Sequence, residues 1–269
     1  MPYLTLQSSP LAPGISPVSL YYRDEGEGEP LLFLHGGWGY ELYPFNRQIG
    51  TLGKDRRIII PDRSGYGRST RLAGELPAGF HYLAATETLS LLDSLGIERA
   101  MLWGHSDGAV IAAILGFTAP ERVSGLILEA FHYYARKPAS RRFFETVAYR
   151  PEGLGAELCE QFKQQHGADY WQHLITAHAK AWLQIAVESS SPTGDLYGGR
   201  LCEITAPTLF IHGLLDPRTE PGELDAVHRQ LPDAEMQILD QGSHSPHSET
   251  ATTALVTRIA NEFMGQKHR

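Results

Sequence analysis

Seven short apolar runs constrain this chain before any other feature does: VSLYYRD (18–24), PLLFLHG (30–36), RIIIPD (57–62), AMLWGHS (100–106), SGLILEA (124–130), PTLFIHG (207–213) and EMQILDQ (235–241). Several are apolar at consecutive positions. A strand with one wet face alternates apolar and polar residues, whereas a strand covered on both faces has no reason to. These runs therefore predict a mostly parallel sheet sandwiched between helices, an α/β fold. Helical patterns fall between them. In FHYLAATETLSLLDSLG, Phe80, Leu83, Ala84, Leu91, Leu92 and Leu95 share one helical face, and Gly96 supplies the stop.

The rhythm breaks after Ala130. From Phe131 to Arg200 the pattern reads as helices and loops rich in aromatic residues, among them Phe143, Phe144, Trp171 and Trp182, and sheet rhythm resumes at Pro207. The expected organisation is one α/β core, residues 1–130 and 201–269, with a helical cap, residues 131–200, inserted between two strands. Most of the cap's aromatic residues pack it on the core, and a few face what it covers.

Composition narrows the classes of partner. With 269 residues, 42% of them hydrophobic, the chain can build a large core. A net charge of −8 disfavours nucleic acid, and the cluster Arg136, Lys137, Arg141 and Arg142 reads as a solvated face. Cys159 and Cys202 make neither a disulfide framework nor a metal-ligand spacing. The opening MPYLTLQSSPLAPG lacks the basic start and apolar centre of a signal peptide, and no apolar run approaches membrane-spanning length. The expectation is a cytoplasmic protein acting on a small molecule, with no nucleic-acid or membrane partner and no metal. Nothing in the composition sets an oligomeric state.

The chemistry centres on GHSDG, residues 104–108. A serine hydroxyl attacks only when a base takes its proton and when it stands clear of the backbone. A sharp turn from strand to helix gives that clearance but leaves no room for side chains two residues either side, where Gly104 and Gly108 stand. The following helix carries Ala109, Ala112 and Ala113, small enough to lie close to the sheet, and its N-terminus suits a developing oxyanion. Ser106 is the candidate nucleophile.

Its partners should lie just past strand ends, in the order serine, acid, histidine. HGLLDP places Asp216 after one strand, and GSHSPH places His244 after the next. Asp240 lies too near its strand end, and Asp195 belongs to the cap. His247 is expected to support the site from behind, His105 to point away from it, and His212 to be a core histidine. Glycines in LFLHGGWG let backbone N–H groups approach a substrate oxygen, so Gly37 or Trp38 is expected to pair with the N–H of Asp107 as an oxyanion hole. PDRSGYGRS (61–69) lacks the Gly-Lys-Ser/Thr ending of a phosphate loop and reads as a structural turn.

The series HGGWG, PDRSGYGRS, GHSDG, HGLLDP and GSHSPH resembles the α/β-hydrolase superfamily, in its serine-nucleophile branch, over nearly the whole chain outside the cap. The stretch from YWQHLITAHAKAWL to APTLFIHGLLDP is similar to the valacyclovirase (biphenyl hydrolase-like) group and related small-ester hydrolases. The resemblance implies an α/β-hydrolase fold: an eight-stranded, mostly parallel sheet flanked by helices, with a helical cap inserted after the sixth strand. It also implies no cofactor, and Ser106, Asp216 and His244 as the triad. Serine at the elbow sets aside the dehalogenases and epoxide hydrolases, which use aspartate there.

A carboxylic ester or lactone is thus the leading substrate. The same fold also serves hydrolysis of a carbon–carbon bond in ring-cleavage products, a proline-type aminopeptidase, and a ligand receptor without catalysis. EAFHYY (129–134) suggests a partly apolar pocket roofed by Phe131, His132 and Tyr133. The side chain of Asp107 has two readings. It complements the helix dipole, or, as the valacyclovirase resemblance implies, it pairs with the α-amino group of an amino-acid ester.

Overall fold

The computed structural model describes residues 3–191 and 194–266; residues 1–2 and 267–269 of the expected core and 192–193 of the expected cap lie outside them. The strands are β1 (Tyr3–Leu6), β2 (Val18–Glu25), β3 (Glu29–Leu34), β4 (Arg56–Pro61), β5 (Ala100–His105), β6 (Val123–Glu129), β7 (Thr208–Gly213) and β8 (Glu235–Leu239). They form one sheet in the order β1-β2-β4-β3-β5-β6-β7-β8. β2 runs antiparallel to both its neighbours, and the remaining pairs are parallel. Each of the seven runs becomes a strand. The eighth, β1, pairs Tyr3 with Tyr21 and Leu6 with Val18 at the sheet edge. Four residues, one of them buried, give too short a pattern to read as a strand.

The consecutive apolar residues are explained by two cores. Leu32, Leu34, Ile59, Leu102, Leu126, Leu128 and Phe210 face one side, with α2 (Phe80–Ser94) and α3 (Asp107–Thr118). Leu31, Phe33, Ile58, Ile60, Trp103, Ile127 and Ile211 face the other, with α1 (Asn46–Leu52) and α8 (Thr253–Gly265). On α2 the expected apolar face is inside, and Gly96 follows it at φ +66°. Apolar periodicity does not account for its buried Glu87, which accepts the N–H of Ser64 at 2.9 Å and the hydroxyls of Ser64 and Ser9.

Between β6 and β7 lie α4 (Arg141–Tyr149), α5 (Ala156–His166) and α6 (Trp171–Glu188). Among the described residues no strand occurs there, apart from the isolated bridge between Tyr134 and Asp195. Asp195 accepts the N–H groups of Tyr197 and Gly199 and so closes its own turn. After β7, α7 (Glu223–Gln230) anchors this helical segment. Lys137 Nζ lies 2.7 Å from both carboxylate oxygens of Glu223, which also accepts the N–H groups of Tyr133 and Tyr134. No helix of the described residues is long and apolar enough to cross a membrane.

Both ends of the Lys137–Glu223 pair are buried, so removing one leaves an uncompensated charge in the interior. Lys137→Met should cost about 3 kcal/mol or more in urea unfolding, as expected for a buried pair broken from one side. Lys163→Met, which breaks only an exposed pair with Glu160, should cost at most about 0.5 kcal/mol.

Candidate active site

At the end of β5 the chain turns into α3 through Ser106, whose φ of +55° and ψ of −118° lie where a residue with a side chain is strained. The flanking glycines make the turn possible. A Cβ on Gly104 would overlap the carbonyl of Gly108, and one on Gly108 would overlap the carbonyl of Leu34, at the end of β3. Ala109, Ala112 and Ala113 are fully buried, so α3 lies against the sheet with its N-terminus beside the serine.

Two loops bring the expected partners to Ser106. His244 Nε2 lies 3.1 Å from Ser106 Oγ, and His244 Nδ1 lies 2.9 and 3.0 Å from the carboxylate oxygens of Asp216. Burial acts to raise the pKa of Asp216, but the His244 imidazole and the N–H of Arg218 outweigh it and hold the carboxyl well below its usual range. Asp216 is therefore ionised and fixes a proton on His244 Nδ1, leaving Nε2 to accept from the serine. The loop is held on both sides of the histidine: Glu249 accepts the N–H groups of Ser243 and Ser245.

The rival residues take supporting places. His105, brought by burial to about pKa 3, lies 2.8 Å from the carbonyl of His244. His247 lies between Glu129 and the Tyr43 carbonyl and stacks on Phe45 at 3.9 Å. His212 contacts Thr219 at 2.6 Å, within the core. Asp240 is exposed just after β8.

The glycine loop after β3 lines the same pocket through Gly36, Gly37 and Trp38. The turn PDRSGYGRS holds it from below. Arg63 is buried there and donates to the carbonyls of His35 and Gly36, the second at 3.0 Å. With those carbonyls occupied, the amides of the loop are the groups left to face a ligand. Among the described residues, the N–H groups of Gly37, Trp38 and Asp107 donate to no protein acceptor.

The Asp107 carboxylate is enclosed, at 1% exposure. Its Oδ1 accepts His81 Nε2 at 2.9 Å and Trp182 Nε1 at 3.1 Å, and its Oδ2 accepts His178 Nε2 at 2.5 Å. Burial opposes its charge, yet His178 and His81 together keep its pKa well below the ordinary value. Burial lowers the pKa of His81, against the opposing pull of the Asp107 carboxylate. Asp107 thus ties α2 and α6 to the elbow. Neither interaction expected of it, with the helix dipole or with a substrate amine, accounts for these three donors.

The three residues expected to roof the pocket divide. His132 faces it, with Nε2 3.3 Å from Ser106 Oγ and Nδ1 buried without a partner among the described residues. Burial holds this imidazole neutral. Phe131 and Tyr133 are a correction, because neither lines the pocket. Phe131 stacks on Tyr197 at 5.4 Å and meets Phe210 edge-on, and the N–H of Tyr133 is held by Glu223. After Ala130, at φ +50°, Phe131 and Tyr133 both meet the Tyr197 ring, whereas His132 meets Ser106. The cavity, about 220 Å³, is instead closed by Phe143, Phe144, His178 and Trp182 from α4 and α6, and by Tyr43 and Arg218 from the core. These residues carry no local signature, since each joins the site from a distant part of the chain.

The supporting turn contains a titration that can be tested. Burial raises the Asp62 carboxyl to about pKa 6, against the pull of the Arg68 N–H. A raised value favours the folded state fully below the unfolded pKa, about 4, and that contribution is lost as pH rises through about 6. The unfolding free energy of Asp62→Asn should therefore gain on wild type between about pH 4 and 6 and stay level above. A constant difference across that range would refute the titration.

Comparisons with known proteins agree with this architecture. The chain is 23% identical over 255 residues to the serine hydrolase BPHL of Homo sapiens, covering 93% of this chain and 84% of that one. It is 36% identical over 266 residues to 2-hydroxymuconate semialdehyde hydrolase of Pseudomonas putida, covering 91% and 90%. A solved structure of a thermophilic esterase from Thermogutta terrifontis superposes with a TM-score of 0.73 at 22% identity, over 98% of each chain. Residues 29–184 match the family described as the alpha/beta hydrolase fold, and the chain belongs to that family.

Proposed function

We propose that this hydrolase cleaves a carboxylic ester or lactone of a small molecule through an acyl-enzyme on Ser106. The observation that carries the proposal is the continuous relay from a strained serine to His244 and on to a buried, ionised Asp216. His244 takes the serine proton through Nε2 while Oγ forms a bond to the substrate carbonyl carbon. The oxyanion accepts the N–H of Asp107 and an N–H of Gly37 or Trp38. His244 then returns the proton to the leaving alcohol. Water, deprotonated by the same imidazole, next attacks the acyl carbon and releases the acid and Ser106. Asp216 holds the imidazole in the required tautomer throughout. The helices between β6 and β7 act as a cap, and Phe143, Phe144, His178 and Trp182 select what enters.

A second reading, hydrolysis of a carbon–carbon bond in a ring-cleavage product by the same three residues, is favoured by the 36% identity with 2-hydroxymuconate semialdehyde hydrolase. A panel of chromogenic esters, lactones and vinylogous diketones separates the two. Faster turnover of the diketones than of every ester and lactone would replace the ester assignment.

The roles within the relay are tested by substitution. A serine-directed phosphonate should label Ser106, as read by peptide mass mapping. Ser106→Ala and His244→Ala should each lose about three orders of magnitude or more in kcat, and Asp216→Asn should collapse turnover with the fold retained. His247→Ala should lose far less, and Asp240→Asn should remain active. Labelling at another residue, or an inactive Asp240→Asn beside an active Asp216→Asn, would reassign the site.

A further inference from the structure

Among the described residues, the pocket is lined by one Lys or Arg side chain, Arg218, whose donor edge meets no protein acceptor. Arg218 lies two residues after Asp216, and its backbone N–H donates to that carboxylate at 2.8 Å, which fixes where the side chain starts. The guanidinium lines the cavity together with Ser106, His244, Trp38, Tyr43 and Phe143. It sits over the face of the Phe143 ring, 3.1 Å from its centroid. Stacking occupies the face of a guanidinium and leaves its in-plane N–H groups free. Among the described residues no oxygen accepts from them. Burial draws its pKa down only to about 10, so it stays charged at neutral pH.

The chain's fully buried cations are matched by protein acceptors. Arg63 donates to the carbonyls of His35 and Gly36, and Lys137 meets both oxygens of Glu223. Arg218 is half-buried, and its open donor edge offers a ligand acceptor a charge-assisted hydrogen bond. The carboxylates near the cavity cannot supply one. Asp107 is engaged by His81, His178 and Trp182, and Asp216 by His244 and the Arg218 N–H. The electrostatics therefore run opposite to an amine site.

We propose that Arg218 is a specificity residue that binds a carboxylate carried by the substrate, so that the enzyme prefers an ester or lactone bearing a second, free carboxylate, a preference that rests on the ester hydrolysis assigned to Ser106. The planar fork of the guanidinium matches the two oxygens of such a group. The half-esters of short dicarboxylic acids are the simplest members of the class.

The test compares kcat/KM for the monomethyl and dimethyl esters of succinic, glutaric and adipic acids. At the best chain length the wild type should favour the half-ester by about tenfold or more, and Arg218→Gln should lose that ratio, as expected for a hydrogen-bonded charge. Arg218→Lys, which keeps the charge without the fork, should retain part of it and guards against a misfolded glutamine variant. A wild-type ratio at or below one at every length, or a ratio that survives in Arg218→Gln, would overturn the proposal. Calorimetry with Ser106→Ala separates it from the hydrolysis itself. Preferential binding of the half-ester, lost in Ser106→Ala/Arg218→Gln, supports the carboxylate site even if wild type hydrolyses no ester. Turnover of the dimethyl ester with no half-ester preference leaves ester hydrolysis standing and removes Arg218 from recognition.

Discussion

The approach of α3 to the end of β3 is the contact on which the rest of the site depends. Backbone meets backbone there, with no space for a Cβ on Gly108 or on Gly104. Only that approach brings the helix N-terminus under the glycine loop and lifts Ser106 out of the sheet. The strain at Ser106 is held by neighbours that have no freedom to relax, since its N–H is taken by Glu129 and its carbonyl by Ala109 and Val110. A strained residue persists where its surroundings over-determine it, and here they are a central strand, a buried helix and two glycines.

A buried polar layer under the elbow carries that rigidity to the loop that holds His244. Glu129, at the end of β6, receives Trp103, the N–H of His247 and its imidazole. Gln48 from α1 holds the carbonyl of His247 and the hydroxyl of Thr257 on α8. His105 holds the carbonyl of His244. Buried polar groups of this kind are stabilising when satisfied, and the contacts named here require each loop to stay in place, although Gln48 Oε1 is buried without a partner among the described residues. His244 is thus held in place by residues from several elements, of which His105 also lines the cavity.

Charge is distributed in the pocket with the same economy. The Asp107 carboxylate docks α6 and α2 to the elbow, so a group beside Ser106 acts as a fastener between layers. The Arg218 guanidinium rests on Phe143 with its donors facing outward. The first arrangement leaves the carboxylate engaged by three protein donors, and the second is the basis of the proposed carboxylate preference.

Much of this was legible in the chain. Runs apolar at successive positions specified strands buried on both faces. GHSDG between a strand and a small-residue helix specified the elbow, and the order of Asp216 and His244 after later strands specified their approach to it. These are local properties, because steric room at a glycine or apolar alternation along a strand depends on neighbours in sequence. The pairing of Asp107 with His81, His178 and Trp182 was not legible, nor the turning away of Phe131 and Tyr133, nor the unmatched guanidinium of Arg218. Each depends on segments up to about ninety positions apart meeting in space, and a single sequence carries no record of which polar side chain finds its partner in another.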